Sequence, residues 1–336
     1  MHQIALFASP SAPIDTEVLR ETLGTDAHID VAPHEYLKKP LDQQSEQHLC
    51  SFVANASAIF FRVGQVTRRI IEAAKSLRIV AVHGIGTDSV DLDAATRRGV
   101  FVTITPHTNT RAVAEYVMCS MLLFCRRLHE AVETLRAGNW EEARIEGVEL
   151  AGKSLGVIGF GAVGSYVAQL AEALGMQVLV AGHLRLPPQK FRVLPLRELA
   201  AAVDFLVVAV PRRKDTEGLI SEEILRRMRS TAVLINVSRG GIVDEDALIA
   251  ALDRGGLAAA WVDVFRAEPV PPSHRLILHP KVFPTPHIAG STRESLARTA
   301  RVAGEDIRRV LDNRLPVHAV NPEAATATGW STGAVQ

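Results

Sequence analysis

Lys153-Ser154-Leu155-Gly156-Val157-Ile158-Gly159-Phe160-Gly161-Ala162-Val163-Gly164 runs directly into Ser165-Tyr166-Val167-Ala168-Gln169-Leu170-Ala171-Glu172-Ala173-Leu174-Gly175. The apolar run 155–158 reads as a buried strand, and Val167, Leu170, Ala171 and Leu174 recur at the i, i+3, i+4, i+7 spacing of one helix face. The glycines therefore sit on a strand-to-helix turn. There Gly159 allows the tight turn, Gly161 lets backbone approach a diphosphate, and Gly164 lets helix and strand pack closely. Phe160, Ala162 and Val163 complete the loop, and the phosphates would lie at the helix N-terminus. A second strand over 177–181 closes a βαβ unit. A GxGxxG alone is weak, since loop glycines explain most instances, but this strand–turn–helix context points to dinucleotide binding.

About 20 residues further on, an Asp or Glu normally ends the second strand and binds the adenosine ribose hydroxyls. Here that strand runs into Gly182-His183-Leu184-Arg185, with no carboxylate at its tip. Without the acid a 2'-phosphate is not repelled, and His183 and Arg185 could pair with it, Arg as a charge-assisted donor. NADP(H) is then expected at least as readily as NAD(H). A solvated basic loop with relaxed cofactor choice is the alternative.

With 336 residues, 47% of them hydrophobic, the chain is long enough for two domains with separate cores. Lys plus Arg equals Asp plus Glu at 37 each, so no net field attracts nucleic acid or an anionic membrane surface. Cys50, Cys119 and Cys125 are an odd number without CxxC or Cys/His ligand spacing. Reduced thiols in a cytoplasmic protein are expected, and no metal site. No basic leader precedes the first apolar run, and the apolar stretch 117–124 is too short to span a bilayer. Only the tail after Asn321 reads as disordered.

Strand and helix alternate over residues 1–104. Runs 4–8, 29–32, 58–63, 79–82 and 100–104 read as strands, with helices beginning near Asp15, Leu41, Thr67 and Asp91 between them. This predicts an open parallel sheet, a small flavodoxin-like domain. A long helical pattern covers 112–137. Alternation resumes with the βαβ unit, strands over 205–210, 232–237, 258–264 and 282–285, and helices from Ser221 and Asp244. That predicts a second doubly wound parallel sheet, a Rossmann domain whose ligands lie beyond the strand C-termini. The last helix, 292–311, is expected to return to the first domain. The division is then 1–104 with 290–336, and 105–289.

Three strand ends of the second domain carry an unusual polar set: Ser238-Arg239-Gly240-Gly241, Arg266-Ala267-Glu268-Pro269, and Pro286-His287-Ile288-Ala289-Gly290. Hydride addition to a ketone leaves negative charge on oxygen, so a positioned acid must supply a proton, and His is best tuned for this near neutral pH. His287 fits that role. A carboxylate beside an imidazole favours its protonated form and fixes its tautomer, which suits Glu268. A planar guanidinium can hold a substrate carboxylate and polarise the carbonyl, which suits Arg239. Taken singly, His287 could be a structural hydrogen-bonding residue, Arg239 a surface ion pair and Glu268 a solvated loop acid. Together, each just past a strand of a sheet with a dinucleotide loop, they form an active-site set.

The segments HGIGTDSVDLDAATRRGV, AVAEYVM, LAGKSLGVIGFGAVG, INVSRGGIVDEDAL, DVFRAEP and TPHIAGSTRES resemble, in family order, the D-isomer-specific 2-hydroxyacid dehydrogenase family. The similarity runs from about residue 55 to 321 and is closest to the phosphoglycerate-dehydrogenase-like branch, without a regulatory domain after about residue 322. The resemblance implies that Arg239 binds substrate, that Glu268 and His287 form the acid/base pair, and that Asp263 hydrogen-bonds the nicotinamide carboxamide. It also implies that His83, Gly84, Ile85 and Gly86 grip the substrate carboxylate, with Arg62 lining a cleft that closes over it. Thr110, Val210, Pro211, Thr216, Val237, Ser238 and Gly290 would border the cofactor. The family is typically dimeric through its cofactor domains. Val113, Tyr116, Val117, Ser120 and Met121 share one helix face and are the candidate interface, with core packing as the alternative. Where NAD-specific members carry the ribose acid, Gly182 stands here. Arg212-Arg213-Lys214 departs from the usual apolar run after Pro211 and could add to a 2'-phosphate site or form a solvated loop.

The expected activity is hydride transfer between NAD(P)H and a small 2-oxo/2-hydroxy acid such as hydroxypyruvate or glyoxylate. D-3-Phosphoglycerate dehydrogenase is the alternative, because Arg62 would suit a phosphate. A nicotinamide-sensing corepressor that binds partner proteins is the reading from a different class.

Overall fold

The computed structural model describes residues 1–181 and 190–327. Up to Asn109 the elements are β1 (His2–Phe7), α1 (Thr16–Leu23), β2 (Ala27–Val31), a 3-10 turn (His34–Tyr36), α2 (Gln43–Phe52), β3 (Ala58–Phe61), α3 (Arg68–Ala73), β4 (Ile79–Val82), α4 (Leu92–Arg97) and β5 (Phe101–Thr103). Then come α5 (Thr110–Cys125), α6 (Leu128–Arg136), β6 (Ser154–Ile158), α7 (Ala162–Ala173), β7 (Gln177–Ala181), β8 (Arg192–Val193), α8 (Leu196–Ala202) and β9 (Phe205–Val208). The chain continues through α9 (Glu222–Arg227), β10 (Val233–Asn236), α10 (Glu245–Asp253), β11 (Ala259–Val262), α11 (Arg275–Leu278), β12 (Val282–Pro284), α12 (Arg293–Leu311) and α13 (Ala324–Ala327). Two compact units result, Met1–Asn109 with Ser291–Gln336, and Thr110–Gly290.

The first unit is a parallel sheet in the order β2-β1-β3-β4-β5, the flavodoxin-like arrangement. Asp15, Asp42, Thr67 and Asp91 start its helices by accepting a backbone N–H of the first turn, each cap stabilising by about 1 kcal/mol. Both faces of the central strands are buried, so β3 and β4 are apolar throughout rather than alternating, whereas the edge strand β2 is partly exposed and carries His28 and Asp30. Phe7, Ile59, Phe61, Val80 and Val82 pack toward α2, α3 and α4. Ile4, Leu6, Phe60, Ile79 and Ala81 pack toward α1 and α12. Residues 322–327 depart from the expected disorder: the preceding Asn321 accepts from Val102 N through Oδ1 at 2.7 Å, and α13 buries Ala324 and Ala325. Small apolar side chains and one buried amide anchor that segment without any hydrophobic periodicity to announce it.

The second unit is a parallel sheet in the order β12-β11-β10-β9-β6-β7-β8. The chain leaves β6 to one side through β7 and returns to the other through β9, so β6 borders the switch point where such sheets bind ligands. The expected single helix over 112–137 is two helices. Arg127 adopts a left-handed backbone, φ +48°, and its guanidinium reaches Glu130 at 2.6 Å. Residues α8, β8 and α11 add short elements that the sequence pattern did not mark. Among the described residues no helix is long and apolar enough to cross a membrane.

Candidate active site

The glycine turn after β6 is enforced by sterics. Gly159 has φ +89°, and a Cβ there would lie 2.6 Å from Val210 Cγ1 and 2.7 Å from Ala209 O. A Cβ on Gly164 would lie 2.0 Å from Gly159 O, so α7 can approach the turn only with glycine at that position. Gly161 is different: nothing stands within 4 Å of its Cβ position. It is also the N-cap of α7 and offers no side-chain acceptor, so the first-turn N–H groups at Ala162 and Val163 remain for an external anion. No acid stands in that first turn. Open space beside unpaired donors fits the diphosphate of a nicotinamide dinucleotide.

Of the other residues expected beside the cofactor, Val210 and Pro211 follow β9, Val237 and Ser238 follow β10, and Gly290 follows β12. Thr110 opens α5, and Ser238, nearly fully buried, donates its hydroxyl to Val210 O. Thr216 donates to Pro211 O at 2.7 Å and accepts from Arg213 N at 2.7 Å, which folds the 211–216 turn onto itself. Val237 packs in the apolar core and Phe160 lies against Phe191. Arg212 pairs with Glu217 at 2.9 Å, while Arg213 and Lys214 are exposed. Gly182, His183 and Arg185 lie outside the described residues.

Arg239, Glu268 and His287 each leave a neighbouring strand, β10, β11 and β12. The turn carrying Arg239 fits tightly against the chain after β11, since a Cβ on Gly240 would lie 1.8 Å from Phe265 O. Arg239 Nη1 donates to Ser238 O at 2.8 Å, and among the described residues the guanidinium forms no ion pair. Glu268 is oriented by Phe265 N, which donates to its Oε1 at 3.0 Å. Its Oε2 lies 2.8 Å from His287 Nδ1. An ionised carboxylate can only accept, so the proton of the neutral ring lies on Nδ1 and Nε2 is left for another partner. Both side chains keep substantial solvent contact, 47% for His287 and 33% for Glu268, as a substrate-accessible pair requires.

His287 sits in a left-handed backbone, φ +54°, which a residue with a Cβ rarely adopts. Its N–H donates to Asp263 O at 2.8 Å, and the Asp263 carboxylate clasps the residues on either side. Oδ1 accepts from Thr285 Oγ1 at 2.7 Å and Ile288 N at 2.8 Å, and Oδ2 accepts from Ala289 N at 2.9 Å. Asp263 is only 1% exposed. Burial pushes its carboxyl pKa up, against the hydrogen bonds from Thr285, Ala289 and Ile288. The resemblance implies a hydrogen bond between this side chain and the nicotinamide carboxamide; within the chain the carboxylate also holds the loop that carries His287. The adjoining Tyr116, Trp261 and Thr285 were not recognised as a polar group in the sequence, because an aromatic helix face reads as packing.

The first unit carries the remaining expected residues. Arg62 and His83 follow the registered pair Phe61 and Val82 at adjacent strand ends. Arg62 donates through Nη1 to Pro13 O and through Nη2 to Ser291 Oγ at 2.7 Å. The His83 ring stacks on Phe60 with centroids 5.9 Å apart, and its buried Nε2 has no hydrogen-bond partner among the described residues. Burial and then the Arg62 charge lower the His83 pKa to about 3, so the ring is neutral at physiological pH. The glycine loop differs in one respect from expectation. Gly84 N already donates to Thr105 Oγ1 at 2.7 Å, because φ +116° turns it inward. Among the described residues Ile85 N and Gly86 N make no such bond.

The expected interface face of α5 is internal instead. Val117, Ser120 and Met121 are buried, and Val117 and Met121 belong to the core formed with α7 and the sheet. Apolar spacing alone cannot distinguish a face buried by a partner from one buried by its own domain.

Residues 118–289 match the family described as D-isomer specific 2-hydroxyacid dehydrogenase, NAD binding domain. The chain is 37% identical to D-3-phosphoglycerate dehydrogenase 2, chloroplastic, of Arabidopsis thaliana, over 90% of this chain and 48% of that protein. It is 34% identical to glyoxylate reductase of Thermofilum pendens, over 88% of this chain and 89% of that protein. It therefore spans about half the length of the D-3-phosphoglycerate dehydrogenases that it matches. Among solved structures, the NADPH-dependent glyoxylate/hydroxypyruvate reductase of Sinorhizobium meliloti in complex with NADP and malonate has a TM-score of 0.80 at 28% identity. That alignment covers 96% of this chain and 98% of that one. With a family match over half its length and whole-length relatives above 30% identity, the chain belongs to the D-isomer specific 2-hydroxyacid dehydrogenase family.

Proposed function

We propose that the protein is an NAD(P)-dependent D-2-hydroxyacid dehydrogenase that reduces a small 2-oxo acid, with glyoxylate and hydroxypyruvate as the favoured substrates. The observation that carries this reading is the His287–Glu268 pair at 2.8 Å, on the sheet edge that also carries Arg239, whose guanidinium forms no ion pair among the described residues, and the glycine turn. The nicotinamide cofactor, when bound, supplies the hydride. Arg239 holds the substrate carboxylate and draws electron density from the carbonyl. His287 Nε2 delivers a proton to the carbonyl oxygen, and Glu268 stabilises the imidazolium from which it comes. Ile85 N, Gly86 N and Arg62 are assigned to the acid substrate.

The name of the Arabidopsis relative favours a second reading, D-3-phosphoglycerate dehydrogenase. Steady-state oxidation of NADPH and NADH with glyoxylate, hydroxypyruvate and 3-phosphohydroxypyruvate separates the two. Preferred turnover of the unphosphorylated acids is expected. Tight cofactor binding without turnover of any acid would favour a nicotinamide sensor instead.

NADP(H) is the preferred cofactor in this reading, because Gly182 replaces the acid that would repel a 2'-phosphate and because the solved relative was captured with NADP. Gly182→Asp should shift preference toward NADH; an unchanged preference would overturn this. A homodimer through the second unit is proposed from exposed apolar side chains. Leu128, Val132 and Leu135 recur along α6, which buries none of its residues, and Trp140 and Val148 are exposed nearby in sequence. Val132→Glu should convert a dimer to a monomer in sedimentation analysis; a wild-type monomer would contradict the assignment. The unpaired cysteines suit the reducing cytoplasm.

A further inference from the structure

We infer that Trp261, Tyr116 and Thr285 form a one-way donor chain that ends on Asp263 and makes Asp263 a positioning residue for His287. The inference rests on the dehydrogenase reading above. Trp261 Nε1 lies 2.8 Å from Tyr116 Oη, and an indole nitrogen can only donate. Tyr116 Oη is therefore the acceptor of that bond, and its own proton goes to Thr285 Oγ1. The Thr285 proton goes to Asp263 Oδ1 at 2.7 Å. Each hydroxyl has one proton, and because that of Thr285 goes to Asp263, Thr285 Oγ1 can only accept from Tyr116, which itself accepts from Trp261. Buried hydroxyl chains of this kind polarise along their length.

The chain resolves a conflict at Asp263. Burial alone favours the neutral acid, which would present a donor where Thr285, Ile288 and Ala289 all need acceptors. With three donors aimed at its two oxygens, the ionised form accepts them all, whereas a proton would turn one acceptor position into a donor. The loop conformation needs that satisfaction, because His287 is held at φ +54°. His287 N donates to Asp263 O, Thr285 precedes the histidine by two residues, and Ile288 and Ala289 follow it. Asp263 thus holds the Thr285 side chain before His287 and the backbone at and after it, while Glu268 fixes its ring.

The far end of the chain is anchored by packing. Trp261 stacks on Phe283 with ring centroids 4.5 Å apart, so the indole cannot turn away without losing that contact. Tyr116 is supplied by α5, whose buried face packs in the core of this unit. Desolvation raises the Tyr116 pKa to about 12, which keeps its proton in place as donor. No member of the chain needs to touch substrate. They act through the position of His287.

The test is kinetic, on the protein with NADPH and a turned-over 2-oxo acid. Thr285→Val keeps the shape and removes the hydroxyl; it should lower kcat by about tenfold or more, as expected when a catalytic group is slightly misplaced. KM for both substrates should change by no more than about twofold, because ground-state binding does not depend on His287 geometry. Thr285→Ser restores the hydroxyl and should restore most of kcat. Tyr116→Phe removes only the middle proton of the chain and should lower kcat in the same direction. It also serves if Thr285→Val does not fold. Wild-type kcat in Thr285→Val or Tyr116→Phe, or failure of Thr285→Ser to recover, overturns the donor chain while leaving the dehydrogenase reading intact. A wild-type protein that turns over no 2-oxo acid overturns both.

Discussion

His287 Nδ1 and Glu268 Oε2 stand 2.8 Å apart although they follow different strands, β12 and β11. The contact ties a candidate proton donor to an acceptor-only group and leaves the second ring nitrogen for chemistry.

Removing the imidazole should therefore remove the proton without removing the cofactor. His287→Ala is expected to lower kcat by about 10²-fold or more, in line with general acid catalysis. Titration of NADPH fluorescence should show nearly unchanged affinity. A near-normal kcat would exclude His287 from the reaction.

Arg239 is expected to tolerate no other cation. Its turn is locked by the approach of Gly240 to Phe265 O, so a shorter-reaching ammonium cannot recover the fork by moving backbone. Arg239→Lys should raise substrate KM and lower kcat, with kcat/KM down by at least about tenfold, the loss of one charge-assisted contact. Ordinary values of both constants would show that the carboxylate is held elsewhere.

Gly164 should tolerate no side chain. Its Cβ would lie 2.0 Å from Gly159 O, so Gly164→Ala must push α7 away from the turn. Weakened binding of both NADH and NADPH, together with a lower melting temperature, is expected in calorimetry. Unaltered binding would mean that the turn is not the diphosphate site. Gly161→Ala meets no neighbour in the free protein, so its expected effect falls on cofactor binding and not on thermal stability.

His83 gives a pH prediction with a definite sign. Its folded pKa is lowered to about 3 by burial and by Arg62, whereas an unfolded imidazole titrates near 6.5. Between those values the unfolded chain binds more protons, so this residue makes stability fall as pH drops below about 6.5. Above that range the residue contributes no pH dependence. His83→Phe, which keeps a ring on Phe60, should flatten the fall of the urea midpoint on acidification. Parallel pH curves for the two proteins would contradict the assignment.

Much of the fold was legible because it is written locally. The strand 155–158, the turn at Gly159 and the helix behind it follow one another in sequence, and the caps at Asp15, Thr67, Asp91 and Asp244 sit at the helix starts that were expected. The separation of α5 from α6 was not legible, since Arg126 and Arg127 are good helix formers and the break depends on a left-handed Arg127. The clasp around His287 was hidden for another reason. Asp263, Thr285 and Tyr116 come from β11, β12 and α5, and only tertiary packing reveals that their polar atoms meet. Nor does the sequence show that the Gly84 N–H is taken by Thr105, which lies just past β5 and 21 residues away.

The most direct test of the account follows a labelled hydride. With cofactor deuterated at C4 of the reduced nicotinamide, mass spectrometry and chiral separation of the product should find one deuterium at C2 of a D-2-hydroxy acid. One equivalent of oxidised cofactor should form alongside it. Product without the label, product of L configuration, or bound cofactor that is never oxidised by any 2-oxo acid would contradict the account.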